Sequence, residues 1–80
     1  MKVIQVCMNC FEIQNESYTL LQSYRVIVAK KMNGQLYLDS KYHDYSKTTS
    51  RHVNAWLRID NATKKRMIQS GNIILSNLNK

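Results

Sequence analysis

Cys7-Met8-Asn9-Cys10 places two thiols at the spacing by which paired thiolates converge on one tetrahedral ion. The second half of such a site has no counterpart in the sequence. His43 and His52 offer two imidazoles, but their separation matches no common finger pattern, and His52 is expected on the apolar face of a helix. A redox pair would need a helix opening at the first thiol to lower its pKa, and Asn9 to Gln14 carries little helical periodicity. The favoured reading is two reduced, ordinary cysteines, so Cys7 and Cys10 stand only as weak metal candidates and no cofactor is expected. His43-Asp44 and His52 also raise acid–base chemistry, since imidazole titrates near neutrality and a carboxylate can orient it. No nucleophile stands at a recognisable spacing from either, and Ser46, Thr48, Thr49 and Ser50 are accounted for by turn and capping roles. A non-enzymatic protein is expected.

The basic residues carry a stronger signal. Residues 1–40 hold four Lys or Arg against three acids, a net +1, whereas residues 41–80 hold eight against two, a net +6. Polarised charge of this size favours an anionic partner through long-range attraction. Within Ser46 to Leu57, SKTTSRHVNAWL, a helical period sets Lys47, Arg51, Asn54 and Arg58 along one stripe and Thr49, His52, Val53, Trp56 and Ile59 on the opposite face. With the Lys64-Lys65-Arg66 cluster these cations can neutralise several phosphates, and Tyr37, Tyr42 and Tyr45 add aromatic faces able to stack on unpaired bases. The competing account is a solvated helix face with tyrosines edging a small core. The formal net charge of +7 on 80 residues brings the two readings close to even. No helix-turn-helix turn, zinc finger or aromatic RNA-recognition strand accompanies the charge.

The elements that must hold these residues can be read in order. Lys2 to Met8, Ser17 to Gln22, Tyr24 to Met32, Gln35 to Asp39 and Asn72 to Asn77 are strand candidates, with Asn9 to Glu16 read as a connection that has extended character around Phe11 and Ile13. The unbroken Val26-Ile27-Val28-Ala29 run predicts a central strand covered on both faces. Asn33-Gly34 predicts a hairpin, because both central positions of a type I′ turn need positive φ. Ser46, Thr48 or Thr49 caps the first helix; Asp60 caps a second, Asn61 to Ser70, that stops at Gly71. The expected architecture is α+β: a single domain over 1–80, with a small antiparallel sheet of about four strands and one or two helices packed on one face. At this length homo-oligomerisation stays open. No apolar run approaches membrane-spanning length and the start lacks the apolar region of a signal peptide, so a cytoplasmic protein without a membrane partner is expected.

Leu21-Gln22-Ser23-Tyr24, Val28-Ala29, the run from Tyr45 to Leu57 and the terminal Ile74-Leu75-Ser76-Asn77-Leu78-Asn79 together resemble small uncharacterised proteins encoded by phages of Gram-positive bacteria. Their pattern is an SY…VA hairpin, a YSxTTSxHxNxFL segment and a short closing strand; Trp56 stands here where phenylalanine is usual. The resemblance covers most of the chain and brings no assigned activity, so no residue role is carried over. What it implies is setting: a phage-encoded accessory protein in the host bacterial cytoplasm that acts by binding. Two partner classes are implied, a nucleic acid or nucleoprotein met by the basic C-terminal half, or a host protein such as a defence complex blocked stoichiometrically in anti-CRISPR fashion. In the second, Trp56, Tyr42, Tyr45 and Arg51 would be the interface anchors.

Overall fold

Asn33 and Gly34 take φ values of 53° and 76°, and the two-residue turn they form pairs Met32 with Gln35 across β4 (Val26–Met32) and β5 (Gln35–Asp39). The computed structural model, which describes residues 1–79, repeats this device twice more. Met8-Asn9 joins β1 (Lys2–Cys7) to β2 (Cys10–Gln14), and Tyr24-Arg25 joins β3 (Thr19–Ser23) to β4. Asn9 and Tyr24 both sit at positive φ, 60° and 58°. Asparagine tolerates that region, whereas a bulky tyrosine there is strained. The Tyr24 amide donates to the Asn9 carbonyl at 2.7 Å, which ties the two hairpin tips together and holds the strained residue in place.

The six strands lie in chain order in one sheet, and β6 (Ile73–Ser76) runs parallel to β5 after a crossover through α1 (Lys47–Leu57) and α2 (Asn61–Ser70). The fold is α+β, as expected, but the sheet is larger than four strands and mixed rather than antiparallel. Two causes account for the difference. Within the Asn9 to Glu16 stretch, Cys10–Gln14 is a strand whose polar Glu12 has a partner inside: Glu12 pairs with Leu21 on the helix-covered face, where its Oε1 accepts from Trp56 Nε1 at 2.7 Å. The last strand is parallel because a two-helix crossover returns the chain in the direction it left.

Among the described residues, the helices cover only one face of the sheet. Cys10, Leu21, Val28, Ala29, Leu38, Val53 and Ile73 form the buried core between sheet and helices. Adjacent Val28 and Ala29 both reach it because the β3–β4 ladder slips a residue there, pairing Leu21 with Ala29 but Gln22 with Ile27. A bulge, not burial on two faces, therefore explains the apolar run. The far face carries a cross-strand row of Val3, Ile13, Leu20, Lys30, Tyr37 and Ile74, with the Lys30 ammonium over the Tyr18 and Tyr37 rings.

Caps set the helices. Ser46 Oγ accepts from the Thr49 amide at 3.1 Å, Asp60 Oδ1 from the Thr63 amide at 2.7 Å, and Gly71 ends α2 at φ 84°. Trp56 is half-buried and packs against the core cluster, with its indole bonded to Glu12 and Lys31 Nζ 4.4 Å from its ring, so it joins helix to sheet at the core's edge. Asp39 is buried and anchors both the turn after β5 and the segment after β6. Its Oδ2 accepts from the Lys41 and Tyr42 amides, and its Oδ1 from the Leu78 amide and Asn79 Nδ2. Asn79 also exchanges two 2.8 Å bonds with the backbone of Ile27, standing in for a strand partner beside the bulge. Among the described residues no helix is long and apolar enough to cross a membrane.

Candidate anion-binding groove and thiol–histidine cluster

The capped helix α1 carries its stripe as the sequence predicts. Lys47, Arg51, Asn54 and Arg58 line one side of an open groove of about 690 Å³, whose other side is Asp60 and Asn61 at the start of α2. The αL conformation of Arg58, at φ 60°, turns the chain so that α2 begins beside α1. Asn54 Nδ2 donates to Asn61 Oδ1 at 2.7 Å, while Asn54 Oδ1 is buried without a partner. Lys47, Arg51 and Arg58 are exposed. Among the described residues no lysine or arginine forms an ion pair; the single one found joins His43 Nε2 to Asp44 Oδ2 at 3.8 Å. Lys30, Lys31 and Lys41 rest over aromatic rings, and the three groove cations have no such partner.

The other expected contact residues fall elsewhere. Lys64 is 5% exposed, and its Nζ donates to Ser50 Oγ at 3.1 Å between the helices. Burial lowers its pKa, partly opposed by the Asp44 charge. It belongs to the packing, not to a phosphate-binding surface, because the α2 stripe turns it toward α1. Lys65 and Arg66 are exposed on α2, away from the groove lining, and Arg66 Nη2 donates to Thr63 Oγ1 at 3.2 Å. Tyr42 and Tyr45 pack at 5.6 Å between ring centroids and line a separate hollow with Tyr24 and Arg25 on the other flank of α1. Tyr37 lies on the far face of the sheet.

A second cluster assembles on the covered face. Cys7 pairs with Cys10 across the first hairpin and Cys10 with Ser23, so the three side chains form a row under α1. His52 descends onto that row, with Nδ1 2.8 Å from Ser23 Oγ. One sulfur from each cysteine and one His52 ring nitrogen lie within 4.8 Å of one another. His43 is not among them; its Nδ1 is bonded to the Asp39 carbonyl at 2.9 Å. Burial, then the hydrogen bond and charge coupling with the neighbouring Cys7 sulfur, pushes the Cys10 pKa up to about 12. Burial, then the Arg51 charge, lowers that of His52.

A model of a family of unknown function, DUF8033, matches residues 2–74. The chain belongs to this family. No curated protein and no solved structure matches it. The DUF8033 match takes in β1 to β5, both helices, the groove and the thiol–histidine cluster, and it stops within β6. The stripe along the groove was legible from helical spacing; its second wall, Asp60 and Asn61, was not. The union of His52 with the cysteines was not, since more than forty positions of chain separate them and only the packing of α1 on the first three strands closes the gap.

Proposed function

We propose that this DUF8033 chain is a non-enzymatic binding module that docks on a nucleic acid or nucleoprotein through the α1 groove. The observation that carries this reading is the grouping of Lys47, Arg51 and Arg58, exposed and without carboxylate or aromatic partners, along one side of one groove. Unpaired cations so arranged gain most from displacing the counterions of a polyphosphate. Asn54 adds a polar edge, and Lys65 and Arg66 extend the positive field along α2 without joining the groove. The phage setting rests on the sequence resemblance alone, and with it the host cytoplasm as the place of action.

Log affinity for single-stranded or duplex DNA or RNA is expected to fall linearly with log salt, by roughly 0.7 to 0.9 per phosphate contacted. Arg51→Glu with Arg58→Glu should flatten that slope by about two contacts and leave the thermal melt in place. Binding no stronger than that of a scrambled basic peptide to all four ligands would sink the reading. A host-protein partner is the second reading. It is favoured by Tyr45, 72% exposed beside Tyr42 and Tyr24 at the separate hollow, whereas Trp56 is already held by Glu12 and Lys31.

A further inference from the structure

We infer that Cys7, Cys10 and His52 form a binding site for a thiolate-preferring, tetrahedral cation of the zinc class, on the flank of α1 where Arg51 separates it from the groove. The backbone is bent to make it. In β1, Ile4 faces the helices, paired with Glu12, so strict alternation would turn Cys7 to the far face. A bulge between Gln5 and Cys7 inserts one residue and rotates Cys7 back, setting it directly opposite Cys10 on the covered side. Re-aiming one side chain is what such bulges do. The thiol of an ordinary exposed cysteine would have no need of it.

The third donor is positioned with equal care. When Nδ1 carries the ring proton and donates to Ser23 Oγ, Nε2 is the nitrogen left with a lone pair; a hydrogen bond of this kind fixes both tautomer and ring plane at metal sites. Ser23 is itself fully buried, and Thr49 Oγ1 stands 3.4 Å from its hydroxyl. Bonds of about 2.3 Å to sulfur and 2.0 to 2.1 Å to nitrogen call for a contraction from the observed spacing, to which the exposed Cys7 side chain is free to contribute by rotation. Two sulfurs and one imidazole are a donor set that suits zinc and leaves one coordination position for water. That position opens on a hollow of about 330 Å³ lined by Met8, Asn9, Tyr24 and Arg51 besides Cys7 and His52. Binding releases one proton from each thiol to solvent, leaving two thiolates that balance a divalent charge.

Co²⁺ titration of the reduced full chain, without oxygen, tests the site. The expected result is a sulfur-to-cobalt charge-transfer band with the intense visible absorption of a tetrahedral ion, saturating at one ion per chain and abolished by Zn²⁺. Cys7→Ser, at an exposed position, should lose the charge-transfer band while melting like the parent without metal; His52→Gln should shift the visible bands, and His43→Ala should change neither. Zn²⁺ should raise the melting temperature of the parent and not of Cys7→Ser. A weak octahedral spectrum, no charge-transfer band, or a spectrum unchanged by Cys7→Ser overturns the inference. Nucleic-acid binding is read separately on the Arg51 and Arg58 variants, so either reading can fail alone.

Discussion

At Asp39 a single carboxylate satisfies four donors drawn from the turn after β5 and from the chain end. Burial resists its charge, yet those bonds outweigh burial and hold its pKa below the ordinary carboxylate range. A depressed pKa contributes stability that is present above the unfolded value and lost as pH falls through the folded one. Acid unfolding should therefore be steep below about pH 4, and Asp39→Ala, which orphans four donors, should cost at least about 1 to 3 kcal/mol in denaturant melts while flattening that acid limb. Lys64 is the opposite case, a buried cation whose lowered pKa reports a penalty. The penalty stands at neutral pH and is relieved as pH rises from the folded pKa toward the unfolded one. Lys64→Met should thus melt at the same or a higher temperature near pH 7, with the gain shrinking under alkaline conditions. It should leave the salt slope of nucleic-acid binding unchanged, and a flattened slope would return Lys64 to the contact surface.

Ser46 closes the first turn of α1 by accepting from Thr49, and its hydroxyl also donates to Thr49 Oγ1 at 3.2 Å. Ser46→Ala should cost about 0.5 to 2 kcal/mol by urea titration; no loss would show that Thr48 or another residue takes over the cap. Elements with such local signals were legible: the Asn33-Gly34 hairpin, both N-caps and Gly71 all stand where the chain announces them. The β2 strand was obscured because Glu12 occupies a covered position and reads as loop until its partner Trp56, forty-four residues on, is brought to it. The Val26 to Ala29 run misled for the converse reason. A bulge mimics in sequence the unbroken apolar pattern of a strand buried on both faces. At the candidate sites the same division holds: α1 spacing exposed the groove residues, but no spacing rule reports a bulge that turns Cys7 toward Cys10.

For the molecule as a whole, the arrangement of strands separates two kinds of contact. β1 to β5 form a meander in which each strand meets its neighbour in the chain, whereas β6 joins β5 only after the two helices have been laid down. The meander closes short loops and the parallel edge a long one, and loop closure must precede the contacts that reward it. This difference sets an order of events on the folding path. The hairpins should be structured in the transition state and the β5–β6 edge should dock after it. Ile73, fully buried in β6 opposite Leu36, is the reporter. Ile73→Val should accelerate unfolding in stopped-flow chevrons and leave the refolding rate nearly unchanged, while Leu21→Ala in the meander should slow refolding. Equal slowing of refolding by both would place the crossover inside the nucleus. If the late docking holds, the lifetime of the native state is governed by its last strand, and the edge that parts first is the one lying farthest from the thiols.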